Sequence, residues 1–305
     1  MCRLFGFRSS VRSGVHESLI AAENALARQS MENPDGWGVA YYQKRFPHVI
    51  RSEKLAIEDN LFKDVSAVVS TRTLVAHVRK ATVGKVEVLN CHPFQHGPWC
   101  FAHNGNIAFF AKNAQVRDLI AHEIDPRFLC YVLGSTDSEM CFYLFLSRLA
   151  RKVEDIYHEG VRVELALEAL QETVDTICRL ADPGVEKDED LCRLSFIITN
   201  GALLIGYRHR RELRFSTYKT ECPERDTCHA YEPNRCETEV KDGMVKHLIV
   251  TSEEISDGAN VWLELDDGEY VSVDHGMNFH RGVLSDASVP GIPEEGSSQL
   301  NIVAS

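Results

Sequence analysis

Four short stretches carry residue types that fit one reaction. Cys2 stands directly behind Met1, "AHVRKAT" covers 76–82, "HNGN" covers 103–106 and "STDSE" covers 135–139. In this combination a thiol attacks a carbonyl, and the Asn104 amide beside the Gly105 backbone N–H holds the developing oxyanion. Arg79 grips a carboxylate through its planar fork, and Asp137 accepts from an ammonium. Each residue also has a plainer reading. Cys2 can be a small hydrophobe opening a buried strand, Arg79 a surface charge, Asn104-Gly105 a hairpin turn and Asp137 a helix N-cap. The position of Cys2 alone favours the plainer reading, and the chemical one carries a condition. With Met1 removed, the freed α-amine has a pKa of about 7.7–8 and can serve as the general base without a histidine or aspartate partner.

Positioning these groups requires a frame. "CRLFGFRS", "VVSTRTLVAHVRKAT" and "PWCFAHNGNIA" are β-rich, the last read as a short strand ending in an Asn104-Gly105 turn. "HESLIAAENALARQS" places Leu19, Ile20, Ala22 and Leu26 at helical spacing. Pro34-Asp35-Gly36 marks a turn before another β-rich run. The middle is helical. "TDSEMCFYLFLSRLARKVED" opens near an N-cap at Asp137 or Ser138, and "GVRVELALEALQETVDTICRL" continues to about Leu180. Strands return after "DPGVEKDED", with Asn200-Gly201 as a hairpin signal. This order predicts an α+β fold in which two sheets are sandwiched by helices. It predicts one domain over 1–284, a polar loop excursion at 220–242 and a loosely held tail at 285–305, rich in Ser, Pro and Gly.

Composition narrows the partners. Among 305 residues, 33 Lys+Arg oppose 45 Asp+Glu, for a net charge of −12. That balance disfavours nucleic acid and anionic membrane surfaces and leaves a small zwitterion open. No segment approaches the roughly eighteen apolar residues of a membrane span, and Arg8 and Arg12 interrupt any secretory pattern. A soluble, cytoplasmic protein is expected, and its 10 cysteines are expected to be free, buried or catalytic. No Walker-type loop is present, so neither nucleotide hydrolysis nor an organic cofactor is expected. Cys222, Cys228, His229 and Cys236 could bind zinc, but their spacing lacks the usual close Cys pairs. The favoured reading is a polar loop with no metal.

Six ordered motifs resemble the glutaminase domain of class II glutamine amidotransferases, within the N-terminal-nucleophile hydrolases. They are Met1-Cys2-Arg3-Leu4-Phe5-Gly6, Asp35-Gly36-Trp37-Gly38, His77-Val78-Arg79-Lys80-Ala81-Thr82, Asn90-Cys91-His92-Pro93-Phe94, His103-Asn104-Gly105-Asn106 and Thr136-Asp137-Ser138-Glu139. The likeness is clearest over about 1–150 and is greatest to short, stand-alone members. It implies a four-layer αββα sandwich. It implies Cys2 as nucleophile with its own α-amine as base, Asn104 and Gly105 as the oxyanion hole, and Arg79 and Asp137 as clamps on a γ-glutamyl group. Thr82 would help line the site, and Trp37 would either wall it or be a buried structural residue. The implied mechanism needs no histidine, so His77, His92 and His103 are expected to be structural. Lys80 stands where some relatives carry Trp, so local contacts differ there.

The implied substrate is glutamine or another γ-glutamyl amide, which would yield a γ-glutamyl thioester, ammonia or an amine, and then glutamate. One function supplies ammonia to a separate accepting subunit; another hydrolyses a γ-glutamyl peptide or thiol derivative as an end in itself. A catalytically silent scaffold subunit with the same fold is the reading from another class. A homodimer is the default expectation for a soluble enzyme.

Overall fold

The computed structural model describes residues 2–255 and 259–284; the tail expected at 285–305 lies outside the described residues. Its strands are β1 (Arg3–Gly14), β2 (Trp37–Tyr42), β3 (Pro47–Ser52), β4 (Ser70–Val78), β5 (Phe94–His96) and β6 (Trp99–Asn106). They continue as β7 (Arg193–Thr199), β8 (Leu204–Tyr207), β9 (Arg214–Ser216) and β10 (Gly243–Met244). The last four are β11 (His247–Thr251), β12 (Leu263–Glu264), β13 (Glu269–Val273) and β14 (Asn278–Val283). One sheet runs β12-β9-β11-β1-β4-β2-β3 and the other β10-β14-β13-β8-β7-β6-β5.

Alternation along the strands decides what each layer buries. In the first sheet Leu4 and Val75 face the second sheet, where they meet Ala102, Ile197 and Leu204. Their neighbours Phe5, Leu74 and Ala76 face the other way, onto Leu19, Leu26 and Phe62. The second sheet turns Phe101, Phe196 and Ile198 outward onto the Asp137–Leu149 and Val163–Ala181 helices, including Phe142, Phe145, Leu170 and Ile177. Each fully buried side chain of this size contributes about 1.5–3 kcal/mol. The result is the expected four-layer αββα sandwich. Gly6 belongs to the inner face of β1, where a β-carbon would come within 2.9 Å of Ile197; its absence lets the sheets close.

Three local expectations differ from the structure. Residues 16–30 do not form one helix: a turn at Glu17–Ala21 breaks before Leu26–Gln29. Tertiary bonds override the periodicity there, since Asn24 donates its amide to Glu254 O at 3.0 Å and accepts from Gln29 at 2.8 Å. Asn104-Gly105 is no turn; both residues lie within β6 and pair with Ser195 and Leu194. The N-cap of the Asp137–Leu149 helix is Thr136, whose hydroxyl accepts the Glu139 N–H at 3.3 Å. Helices at Asn60–Val68 and Ala114–Glu123 add to the two read from the sequence. Asn200-Gly201 does join β7 to β8, with Gly201 at φ +85°. Between β9 and β10 the chain runs through turns and one helical turn at Pro233–Cys236.

Candidate active site

Cys2 sits at the mouth of the inter-sheet space, just ahead of β1. Two residues fasten the chain there: Ser252 Oγ accepts the Leu4 N–H at 2.9 Å, and Thr251 Oγ1 donates to Leu4 O at 3.0 Å. The sulfur itself accepts the Lys80 N–H at 3.3 Å. The segment carrying Lys80 is in turn fixed by the Pro34-Asp35-Gly36 turn. Asp35 Oδ2 accepts the Ala81 N–H at 2.7 Å, and Arg79 N donates to Gly36 O at 2.8 Å. Asp35, Thr251 and Ser252 thus fasten the backbone around Cys2; of the three, only Asp35 falls within a motif read from the sequence.

Burial pushes the Cys2 thiol above its ordinary pKa, while the Lys80 N–H and the Arg79 charge pull it down and the Asp137 carboxylate pushes it up. The thiol is therefore protonated at neutral pH, and attack requires a base. These interactions also place Cys2, Arg79 and Asp137 within electrostatic reach of one another. Arg79 comes directly after β4, whose inner face carries Val75 and His77, and is buried. Its guanidinium donates to Val83 O and Lys85 O, both at 2.9 Å, which shapes the loop after β4. Thr82 lies exposed on that loop.

Asn104 shares the inner face of β6 with Ala102 and is buried opposite Ser195. Gly105 follows with its backbone unencumbered on one side. Its ladder partner Leu194 sends its N–H to His209 O, away from β6. In an antiparallel ladder this makes Gly105–Leu194 a pair without mutual bonds, so the Gly105 N–H points away from β7. His103 N–H takes the same direction and donates to His92 Nδ1 at 3.4 Å. A β-carbon at 105 would lie 1.8 Å from Arg193 O and 2.6 Å from His103 Nε2. Glycine is therefore required by the close approach of protein groups, not by a turn.

Asp137 opens its helix and is buried. Its Oδ2 accepts the Ile107 N–H at 2.8 Å and its Oδ1 the Ser138 N–H at 2.9 Å. The carboxylate is thereby held beside the end of β6. The histidines form the wall behind. His103 is neutral because burial lowers its pKa; its Nε2–H donates to Arg193 O at 2.9 Å, leaving Nδ1 to accept from Ser138 Oγ at 2.9 Å. His77 and His92 pack with ring centroids 4.2 Å apart. Burial, then Arg79 and His103, bring His77 to about 3. None of the three is charged near neutral pH.

Trp37 does not wall this site. Its indole lies on the opposite, helix-side face of β2, edge-on to Phe62 at 4.9 Å, and donates to Asp59 Oδ2 at 3.1 Å. Two arginines that the sequence reading missed lie on the Asn104 side of the second sheet. Arg193 pairs with Asn106 on the inner face, two positions from Ser195, and the Arg211 backbone carbonyl accepts from Ser195 Oγ at 2.7 Å. Arg211 lies within electrostatic reach of Cys2, and its Nε is buried without a hydrogen-bond partner. Neither arginine forms an ion pair among the described residues. The cysteines of the 222–236 stretch line one cavity without converging as a metal-holding group. Among the described residues Cys178, Asp182 and Cys192 do converge, within 4.8 Å. There the Asp182 carboxylate is already taken by Cys192 N at 2.8 Å and Arg210 at 3.1 Å.

Comparison with known proteins bears on the family and the fold. Residues 1–289 match the family described as glutamine amidotransferases class-II. "Probable glutamine amidotransferase DUG3" of Saccharomyces cerevisiae is 29% identical over 231 residues, 68% of this chain and 64% of the relative. "Gamma-glutamyl-hercynylcysteine sulfoxide hydrolase" of Mycobacterium tuberculosis is 37% identical over 79 residues, 26% of this chain and 34% of the relative. The chain thus covers less than two thirds of either relative. A glutamine aminotransferase class-II domain protein from Silicibacter pomeroyi shares the fold at TM-score 0.59 and 20% identity, covering 92% of this chain and 99% of that one. The glutamine phosphoribosylpyrophosphate amidotransferase of B. subtilis does so at TM-score 0.57 and 13% identity, over 93% of this chain and 49% of that one. Among the described residues no helix is long and apolar enough to cross a membrane. The chain belongs to the class-II glutamine amidotransferases.

Proposed function

We propose that this chain is an amidohydrolase of glutamine or a related γ-glutamyl amide, with Cys2 as nucleophile and residues 1–284 as its single catalytic domain. The observation that carries the reading is the Cys2 sulfur against the Lys80 N–H, next in the chain to the buried Arg79 and within electrostatic reach of Asp137. In the proposed reaction, removal of Met1 frees the Cys2 α-amine, which takes the thiol proton. The sulfur attacks the δ-carbonyl, and the Asn104 amide and the Gly105 N–H bind the oxyanion. The proton returns to the departing nitrogen, the C–N bond breaks and a γ-glutamyl thioester remains. Water, deprotonated by the same amine, hydrolyses it to glutamate and restores the thiol. Arg79 and Asp137 hold the α-carboxylate and α-ammonium, so the scissile carbonyl is presented to sulfur.

Arg193 and Arg211 favour a γ-glutamyl peptide or thiol derivative over glutamine itself. They bring two positive charges to the side of Asn104, and neither forms an ion pair among the described residues, which suits a carboxylate on the departing amine. The mycobacterial relative's name, a γ-glutamyl hydrolase, is consistent with that substrate class. The test is hydrolysis of glutamine and a panel of γ-glutamyl amides by wild type and Cys2→Ala, followed by mass spectrometry. Release of glutamate by wild type alone supports the proposal. Inactivity of both proteins toward the whole panel refutes it and leaves the scaffold reading.

A further inference from the structure

The far end of the sandwich carries a second concave site. A cavity of about 660 Å³ opens there, lined by Arg8, Arg12, Lys44 and Arg72 against a single carboxylate, Glu159. It is remote from Cys2. Arg72 and Arg79 are seven residues apart along β4 and its end, about 23 Å at the rise of a strand.

The charge arrangement is unusual for this chain. Acidic residues outnumber basic ones 45 to 33, yet four cations share one concavity and none of them forms an ion pair among the described residues. Arg8 is only 9% exposed. Its Nη1 donates to Gly201 O at 2.9 Å and Thr73 Oγ1 at 3.2 Å, and its Nη2 to His275 O at 3.2 Å. All three acceptors are neutral, so its hydrogen bonds hold the charge in place without an ion pair among the described residues. Its Nε is buried without a partner. Arg12 likewise bonds a neutral group, Gln43 Oε1, at 2.8 Å. A second carboxylate, Asp274, lies outside the lining but within electrostatic reach of Arg8; it accepts from the Gly276 and Asn278 N–H groups at 2.8 and 2.9 Å and from Asn278 Nδ2 at 2.8 Å. Gathering like charges costs free energy unless an anion offsets it.

We propose that this cavity is a binding site for a small polyanion of the di- or polyphosphate class, separate from the catalytic centre. Four cations against Glu159 in the lining and Asp274 beside it leave a surplus of two positive charges that one carboxylate group cannot balance. Multiple phosphoryl oxygens suit the exposed Arg12, Lys44 and Arg72 side chains that line this concavity, while Arg8, whose terminal nitrogens are already bonded, adds its charge. The cavity also joins both sheets, since Arg8 and Arg72 come from one and Gly201 and His275 from connections in the other.

The test uses pyrophosphate and isothermal titration calorimetry on the full chain. Saturable one-to-one binding by wild type is expected. The exposed-residue variant Arg12→Gln/Lys44→Gln/Arg72→Gln should lose at least about a hundredfold in affinity, and Arg72→Gln alone about tenfold. Cys2→Ala should bind as wild type does, so failure of the catalytic proposal would not touch this one. Thermal unfolding of the ligand-free variants confirms that they fold. The proposal is overturned if wild type shows no saturable binding, or if the Arg72→Gln and triple variants bind as tightly as wild type.

Discussion

The Asp137 carboxylate accepts the Ile107 N–H at 2.8 Å, tying the start of the helix beneath the second sheet to the end of the strand that bears Asn104 and Gly105. A charge proposed to hold substrate is thus also a strut for the proposed oxyanion hole. Asp137→Asn keeps an acceptor for Ile107 but removes the charge. It should raise KM for γ-glutamyl substrates by about tenfold or more with little change in thermal stability. Asp137→Ala should lower kcat as well, because the end of β6 loses its anchor. Steady-state kinetics on both variants checks this; equal kinetics for the two would break the link.

Asn104→Ala removes one donor from the proposed oxyanion hole. Its kcat should fall by about a hundred- to a thousandfold, with KM altered far less. A variant within threefold of wild type would show that the Asn104 amide does not face the reacting carbonyl.

Trp37 makes the opposite prediction. Its indole is buried among Phe62 and its neighbours on the helix side of β2. Trp37→Ala should cost about 3–5 kcal/mol in stability, measured by urea unfolding, while the folded fraction keeps its KM. A selective rise in KM without destabilisation would restore Trp37 to the site.

These residues show what the sequence could convey. Cys2, Arg79 and Asp137 are recognisable because their chemistry depends on side-chain type, and the layer order follows from where apolar periods change from two to helical spacing. Trp37 was ambiguous because a strand presents alternate faces, and only pairing reveals which face is inner. Asn104-Gly105 carries the composition of a turn, yet β7 takes it into a ladder, and the glycine answers to Arg193 instead of to a left-handed φ. Arg211 was invisible because its reach to Cys2 comes from the connection before β9, about two hundred residues away in the chain, and Arg193 because its place opposite Asn106 comes from the β6–β7 ladder. No local pattern encodes a contact of that range.

His77 predicts a pH dependence of stability. Its pKa is about 3 in the folded protein, with burial as the largest cause, against about 6.5 when unfolded. Between those values the unfolded chain binds the extra proton. Its neutral burial is fully compatible with stability above about pH 6.5, and stability falls as pH drops toward 3, by up to about 1.4 kcal/mol per unit for this one group. His77→Leu should flatten that decline in urea unfolding between about pH 6.5 and 4. An unchanged slope would mean that His77 titrates alike in both states.

The account's central claim is that the γ-glutamyl group passes through the Cys2 sulfur after Met1 is removed. Acid quenching during turnover, followed by intact-mass measurement and peptide mapping, tests it most directly. The account predicts a γ-glutamyl adduct on an N-terminal Cys2 peptide lacking Met1, and no adduct in Cys2→Ala. Full turnover by protein that retains Met1, or an adduct on any other residue, would contradict it.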